Sequence, residues 1–285
     1  MSQKALLTFV GDVMLGRAVS QKTNKKIFDN VKDIFEASDL TVANLEAPFG
    51  GKLQYIKNKK HVFKAKDAYC QILKDSGINL VTLANNHIVD CGKDGIERTV
   101  SVLEEYGVPF LGVQKNKERQ SPHIVKKNGI RIGFLAYCKD IKAFHNVKKK
   151  PFIIDEKIQD DVKKARKKCD FLILALHWGK EYKLKPEKET VKLAKSLIEC
   201  GANAIIGNHP HVPQKIVKYK KGIIAYSLGN FVFDQQFNEK VREGRILQLE
   251  IEKNKILKYK IFKTHAENNF QPIVTSKRLI RFVNS

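Results

Sequence analysis

Short, continuous apolar runs recur along much of the chain, and they predict β-strands. Runs of this length without polar interruption are typical of strands that are covered on both faces of a sheet. The predicted strands are residues 5–10, 79–84, 109–113, 130–137, 171–176, 202–206 and 223–227. A shorter run at residues 40–43 predicts one more strand.

Amphipathic segments precede three of these runs, and they predict α-helices. The segments are residues 67–75, 95–106 and 189–200. A glycine follows each of them: Gly77, Gly107 and Gly201. Glycine just past a helix favours the left-handed conformation of a C-cap. Because strands alternate with helices, the pattern favours an α/β fold.

The pattern changes near the C-terminus. Residues 245–263 alternate apolar and polar side chains, with a plausible turn at Lys253-Asn254-Lys255. This alternation predicts a half-exposed antiparallel hairpin. No linker or repeat array interrupts the sequence, so we expect one domain over residues 1–285, with a β-rich extension at 236–285.

Polar residues gather where the predicted strands end. In open α/β sheets, ligands bind beyond the carboxyl ends of the strands. The polar residues at these ends include Asp12, Asn44, Glu46, Asn85, Asn86, His87, His177, His209, His211 and Asn230. We therefore expect acid, amide and imidazole groups to meet at one edge of the fold.

Each cluster taken alone also has a structural interpretation. Asp12 suits a turn or N-cap, and Asn85-Asn86-His87 suits turn chemistry. The His209-Pro210-His211 segment points more strongly to function, because two imidazoles one residue apart in an extended segment share a face. Turn chemistry does not require acid, amide and imidazole at so many successive strand ends, so the joint pattern favours a metal centre.

The types of candidate ligand restrict the metal. Imidazole, carboxylate and amide oxygen without thiolate favour Mn²⁺, Fe or Zn²⁺ over an iron–sulfur cluster or a structural zinc site. The candidates exceed the needs of one four-coordinate ion. Two divalent ions, about 3.5–4 Å apart, would use them and create a hydrolytic site.

The charge of the chain is strongly positive. Its 285 residues include 53 Lys+Arg against 30 Asp+Glu, a formal net charge of +23, and 44 of the 53 cations are lysines. A scattered, solvated lysine surface is the main interpretation, and an anionic polymer partner is the alternative. The scarcity of arginine disfavours a nucleic-acid reader.

Neither the N-terminal residues nor the cysteines indicate export. Residues 1–10 hold only a short apolar stretch without a cleavage site, and no run approaches the roughly 20 apolar residues of a membrane span. Five unpaired cysteines do not form a disulfide framework or a CxxC knuckle. We therefore expect a cytoplasmic protein with reduced thiols.

Six motifs in order carry a resemblance to a known family. They are GDVMLGR at 11–17, NLE at 44–46, LANNH at 83–87, HWGKEY at 177–182, GNHPHV at 207–212 and YSLGNFVFD at 226–234. The sequence from about residue 5 to 235 thereby resembles the CapA (PgsA) family, named for poly-γ-glutamate capsule biosynthesis, within the calcineurin-like metallophosphoesterase superfamily. The resemblance implies a four-layer αββα sandwich with a metal site at the strand ends.

The resemblance also implies roles for individual residues. His87 matches the acid near the leaving group. The implied metal ligands are Asp12, Glu46, Asn86, His177, His209 and His211. The sequence departs from the superfamily pattern where Met14 replaces a histidine, Glu46 replaces an aspartate and Asn208 separates the glycine from the histidine pair. These departures imply that one of the two metal positions is altered relative to the superfamily.

Seven further residues in the motifs are candidates for substrate contact. They are Arg17, Asn44, Asn85, Trp178, Glu181, Ser227 and Asn230. A turn, packing or surface role is the alternative for these residues.

The leading hypothesis is a metal-dependent phosphoesterase-type hydrolase, linked to poly-γ-glutamate or other envelope polymers. The second hypothesis is a non-catalytic component that binds poly-γ-glutamate in a synthesis or export complex, since family relatives work at the envelope. A nuclease or nucleic-acid binder comes last. The expected partner is an anionic substrate, either a phosphoester or a polyglutamate-like polymer.

Overall fold

The apolar runs form two β-sheets in the computed structural model, which describes residues 3–22, 26–57, 59, 61–113, 119–139 and 150–282. Within these residues the first sheet has eight strands in the order β14-β13-β12-β1-β2-β3-β4, with β11 also paired to β1. They are β1 (Ala5–Val13), β2 (Leu40–Leu45), β3 (Leu80–Thr82), β4 (Phe110–Leu111), β11 (Asn230–Val232), β12 (Glu243–Glu252), β13 (Lys255–Ala266) and β14 (Pro272–Arg281). Strands β1 to β4 are parallel, and β12 to β14 continue the sheet antiparallel from β1.

The second sheet has six strands in the described residues, in the order β5-β6-β7-β8-β10-β9. They are β5 (His123–Lys127), β6 (Ile130–Cys138), β7 (Phe171–His177), β8 (Ala204–Asn208), β9 (Ile216–Tyr219) and β10 (Gly222–Ala225). The central strands β6, β7, β8 and β10 are parallel, and the edge strands β5 and β9 are antiparallel to their neighbours.

The helices confirm the three predicted amphipathic segments. The helices are α1 (Arg17–Lys22), α2 (Lys32–Glu36), α3 (Cys70–Asp75), α4 (Gly92–Tyr106), α5 (Ile158–Arg166), α6 (Lys188–Glu199) and α7 (Glu239–Arg242), with 3₁₀ turns at Asp29–Val31 and Asp67–Tyr69. Gly107 caps α4 with φ +68°, and Gly77 and Gly201 also have positive φ after their helices. A residue with a Cβ is disfavoured there, which explains the three glycines.

A continuous apolar core joins the inner faces of the two sheets. Phe9 and Val42 from the first sheet and Phe134, Ile173 and Ile206 from the second are all buried in it. A second cluster lies between the other face of the second sheet and helices α5 and α6. The predicted α/β class and the αββα sandwich are therefore confirmed.

The predicted C-terminal hairpin is also confirmed. Its turn has Lys253 at φ +40°, and its first strand β12 pairs with β1. All five cysteines are free thiols. Among the described residues, no helix has the length and apolar character needed to cross a bilayer.

Candidate metal centre

Strands from both sheets deliver the candidate ligands to one place. Asp12 lies near the end of β1, Glu46 directly follows β2, and His177 ends β7. His209 directly follows β8, and His211 lies two residues further along the chain. Because parallel strands end at the same edge of a sheet, five distant sequence positions meet there.

These side chains form two groups that share one carboxylate. Asp12, Glu46 and His177 can each present a ligand atom such that all lie within 4.8 Å of one another, and so can Glu46, His209 and His211. The second group has two imidazoles whose ring centroids lie 5.9 Å apart. A carboxylate common to two ligand groups suits a pair of neighbouring divalent ions.

The His209–His211 loop is not extended, so the expectation of an extended segment was wrong. His209 has φ +96° and His211 has φ +57°. Residues with a Cβ rarely adopt these left-handed values, which cost of order 1–3 kcal/mol each and cluster at functional sites. The left-handed backbone at His209 and His211, and not an extended segment, brings the two imidazoles to Glu46.

Buried atoms without partners mark the centre of the cluster. Glu46 Oε1 and His209 Nδ1 are buried and have no hydrogen-bond partner among the described residues. His177 Nε2 and His211 Nε2 lie 3.8 and 3.6 Å from Glu46 Oε1, beyond hydrogen-bond distance. A buried polar atom without a hydrogen-bond partner costs free energy, unless a water molecule or an ion pairs with it. Carboxylate and imidazole atoms aimed at one point fit a divalent cation.

The amide ligand candidate and the first aspartate also lie in this cluster. Asn86 Oδ1 is 2.7 Å from His177 Nε2, and Asp12 Oδ2 is 3.2 Å from His211 Nδ1. Met14 contributes no nitrogen here, because its side chain is a thioether, and its Sδ accepts a hydrogen bond from the backbone N–H of Gly16 at 3.1 Å.

The electrostatics of the cluster suit a cation. Burial raises the pKa of Glu46 well above its usual value, and the nearby charge of Asp12 raises it further. Burial raises the pKa of Asp12 as well, but the hydrogen bond and charge of His211 outweigh burial and leave it below its usual value. Burial lowers the pKa of His209 to about 3 and holds that of His177 well below its usual range. Neutral imidazoles are the form that binds metal.

His87 lies beside this cluster in a separate network. Its ring stacks on Phe63 with centroids 3.8 Å apart, and its Nδ1 is 2.7 Å from Asp90 Oδ2. Lys59 forms an ion pair with Asp90 and donates to the carbonyl of Asn86 at 2.8 Å. Burial lowers the pKa of His87 to about 4. The contact with Asp90 orients the imidazole. A carboxylate can only accept a hydrogen bond, so the Nδ1 that faces it carries a proton.

A cleft of about 360 Å³ opens onto these groups. Arg17, Glu181, His87 and His211 line it, together with the exposed aromatic ring of Phe237. The Arg17 guanidinium is held by Asp234, with Nε 3.1 Å from Oδ2. Two of the seven residues predicted to contact substrate, Arg17 and Glu181, thus lie on the cleft.

Asn44 and Asn85 lie inside the protein. Asn44 Nδ2 donates to Asp12 Oδ1 at 2.8 Å and to Glu46 Oε2 at 3.3 Å, so its amide orients both carboxylates. Asn85 Nδ2 donates to the carbonyl of Leu45 at 2.8 Å. A direct contact of either amide with substrate stays a prediction.

The other three candidates for substrate contact are also buried. Trp178 Nε1 donates to the carbonyl of Tyr226 at 3.0 Å, and Ser227 Oγ donates to that of Val212 at 2.8 Å. Asn230 Oδ1 lies 3.0 Å from His211 Nδ1 and orients that ligand candidate. Their contact with substrate is likewise untested.

Sequence patterns missed four residues of the site. Asp90 carried a local signal, since it lies three residues after His87 and can return toward it across a turn. Lys59 and Phe63 lie in an irregular segment, where neither periodicity nor a strand end marks them. Asp234 is the last residue of the YSLGNFVFD motif, but the motif alone assigned it no contact.

Comparisons with known proteins show which proteins the chain is similar to. The family model described as "Bacterial capsule synthesis protein PGA_cap" matches residues 6–235, which contain every candidate ligand. The chain is 31% identical over 269 residues to the capsule biosynthesis protein CapA of Bacillus anthracis, covering 89% of this chain and 65% of that protein. It is 32% identical over 259 residues to the PGA biosynthesis protein CapA of Bacillus subtilis, covering 87% and 68%. The chain therefore spans about two thirds of the length of these relatives.

The fold has a counterpart among solved structures. A hypothetical protein from Thermus thermophilus superposes with a TM-score of 0.60 at 16% identity, covering 90% of this chain and 98% of that one. This likeness shows a shared fold.

Proposed function

Because the chain belongs to the bacterial capsule synthesis protein family PGA_cap, we propose that it is a metal-dependent hydrolase of phosphate esters that serves capsule or polyglutamate biosynthesis. The observation that carries the proposal is Glu46, whose buried carboxylate is common to two ligand groups and has one unpartnered oxygen. The named roles of the relatives in capsule and PGA biosynthesis supply the biological setting.

Six residues would hold the ions. Asp12, Glu46, His177 and Asn86 would hold one ion, and Glu46 would share a second with His209 and His211. Two divalent ions would neutralise phosphoryl oxygens and lower the pKa of water toward about 7.

The chain itself supplies orientation and a proton. Asn44 and Asn230 hold the carboxylates and His211 in place through hydrogen bonds. An anionic substrate in the cleft adds negative charge beside His87, which raises the pKa of its imidazole. His87, held by Asp90, then donates a proton to the leaving oxygen.

Metal analysis combined with an assay tests this proposal. Protein purified without chelator is expected to hold about two divalent ions per chain and to hydrolyse bis(p-nitrophenyl) phosphate. His209→Ala should lose metal and at least about 100-fold in turnover. His265→Ala is the matched control, because its imidazole pairs with Glu239, outside the ligand groups.

Two results would overturn the proposal. One is protein that takes up no divalent ion at micromolar concentrations. The other is metal-loaded protein whose phosphodiester and phosphomonoester hydrolysis is unchanged by His209→Ala. In the second case the hydrolysis comes from a contaminant. The protein would then be a metal-containing component that binds polymer without turnover.

A further inference from the structure

A second concave surface lies where the two sheets diverge. A groove of about 370 Å³ runs between β9, the edge strand of the second sheet, and strands β12 to β14 of the first. We call it the basic groove, because every charged residue that lines it in the described chain is a cation: Lys215, Arg245, Lys263 and Arg278.

The strand register sets these cations side by side. Arg245 on β12 pairs directly with Lys263 on β13, so their side chains lie on the same face of the sheet. Arg278 on β14 pairs with Ile261, two residues from Lys263 on that same face. Like charges directly opposite each other destabilise a sheet. A purely structural face would favour opposite charges at these positions.

The cations of the basic groove are poorly neutralised by the protein. Arg245 is only 18% exposed, yet its nearest carboxylate, Glu243, is 3.8 Å away and lies 2.7 Å from Lys240. Burial lowers the pKa of Arg245. Neither Lys263 nor Arg278, both exposed, forms an ion pair with any carboxylate in the described part of the chain.

Apolar side chains lie between the charges. Ile216 of β9 and Pro213, which precedes β9, line the groove on one side, and Ile261 of β13 lines it on the other. An occupant must therefore combine repeated negative charge with aliphatic surface. Adjacent strands lie about 5 Å apart, so cations on neighbouring strands present a short, repeated spacing. Carboxylates on short aliphatic stems along a flexible chain meet both requirements, whereas phosphate oxygens offer no apolar surface.

We propose that the basic groove binds an extended polycarboxylate chain, whose carboxylates pair with Arg245, Lys263 and Arg278. The groove is separate from the metal centre, and no ligand candidate lines it. Binding there therefore requires neither bound metal nor hydrolysis. The basic groove would hold an anionic polymer on the protein, while the metal centre in the cleft would hydrolyse a phosphate ester.

A fluorescence anisotropy titration with a labelled oligomer of ten L-glutamates tests this assignment on the full chain. A chelator is present throughout, so that the metal centre takes no part. The variant Lys263→Ala/Arg278→Ala removes two exposed charges of the groove and should weaken binding about tenfold or more. A melting temperature close to that of the native chain verifies that this variant folds.

The matched control is Lys260→Ala/Lys277→Ala. It removes the same net charge from the same two strands, but Lys260 and Lys277 lie on the opposite face, in register with Leu279 and Phe262. This control should change the affinity by less than about threefold, since only long-range attraction is lost.

Three outcomes would overturn the inference. Equal weakening by both double variants would mean diffuse attraction to a positive surface. Unchanged binding in the groove variant would place the oligomer elsewhere. Tighter binding of inorganic tripolyphosphate than of the glutamate oligomer, with the same dependence on Lys263 and Arg278, would assign the groove to phosphates. None of these outcomes bears on the proposed hydrolysis, which is measured with metal.

Discussion

At the scale of single residues, the sequence predicts the ligand cluster better than its surroundings. Asp12, Glu46 and His177 were identifiable because each lies at the end of an apolar run, and the sheets bring such ends together. Lys59 was not, because its importance depends on side-chain contacts with Asp90 and His87 that no local pattern encodes, and Asp90 carried only the signal of its spacing from His87.

Asp90→Asn should separate proton transfer from metal binding. Asp90 is fully buried, accepts from the backbone of Phe63 at 2.6 Å and orients His87. Asparagine keeps the volume but loses the charge that fixes the imidazole tautomer. We expect turnover of the phosphodiester to fall about 10–100-fold with metal content unchanged.

The control for this prediction is Asp94→Asn, an exposed aspartate in the first turn of α4. It should leave both turnover and metal content unchanged. A parallel loss of metal in Asp90→Asn would contradict the prediction, because Asp90 would then support the ligands and not His87.

Arg119 provides a prediction about pH and stability. Its Nη2 donates to Asp155 Oδ1 at 3.0 Å and its Nε to Asp161 Oδ1 at 3.1 Å. The hydrogen bond from Arg119 lowers the pKa of Asp155 below its usual value. A lowered folded-state pKa contributes stability above the unfolded pKa of about 4, and this contribution is lost as the pH falls through the folded value.

Arg119→Gln should therefore reduce the free energy of unfolding by about 1 kcal/mol at neutral pH, since solvent screens an ion pair whose arginine is 42% exposed. The difference from the native chain should shrink in acid, as the pH falls below the unfolded pKa of about 4 and through the lowered pKa of Asp155. Urea unfolding at neutral pH and in acid measures it. A difference that stays constant with pH would show that packing of the arginine, and not its charge, is responsible.

At the scale of elements, helix ends were predicted well and strand ends less well. The glycine caps mark the helix ends in the sequence, because only glycine adopts positive φ without strain. The predicted strand at 5–10 continues to Val13, since Asp12 pairs with Asn44 on one side and with Asn230 on the other. Strand β11, which provides the second pairing, is only three residues long and was not predicted.

Gly207→Ala should test how closely the strands must approach. A Cβ at Gly207 would lie 2.0 Å from the carbonyl oxygen of Tyr226 and 2.7 Å from Trp178 Nε1. The backbone must move, so we expect a loss of about 3 kcal/mol in the free energy of unfolding. Because His209 lies two residues further along, metal content should fall as well.

Gly107→Ala is the matched control for this change. Its Cβ would meet nothing within 4 Å, and only its φ of +68° opposes a side chain. Urea unfolding should show a loss of about 1 kcal/mol with normal metal content. Equal losses in the two variants would mean that the close approach at Gly207 costs no more than the positive φ at Gly107, which would contradict the prediction.

At the scale of the whole molecule, the C-terminal strands belong to the same structure as the site. The sequence predicted a hairpin, but strand order depends on long-range pairing that local patterns do not encode. The family match ends at residue 235, whereas β12 pairs with β1 over five residues. Leu247 and Leu249 of β12 are fully buried in the core that joins the two sheets.

Two truncations should separate the contributions of these strands. A chain that ends after Arg242 loses four buried apolar side chains of β12: Ile246, Leu247, Leu249 and Ile251. Each contributes about 1.5–3 kcal/mol, and together they are comparable to the whole stability of a domain, about 5–15 kcal/mol. The truncation also exposes the edge of β1. We expect this chain to aggregate or to lack a cooperative transition.

A chain that ends after Gln271 loses β14, an edge strand whose residues are mostly exposed, and the buried Phe282 that follows it. It should stay folded, melt at a lower temperature and keep the metal content of the full chain. It should also lose affinity for the glutamate oligomer, because Arg278 is removed. Circular dichroism melting and metal analysis compare the two truncations. A cooperative, metal-binding chain that ends after Arg242 would show that the αββα sandwich forms without its C-terminal strands.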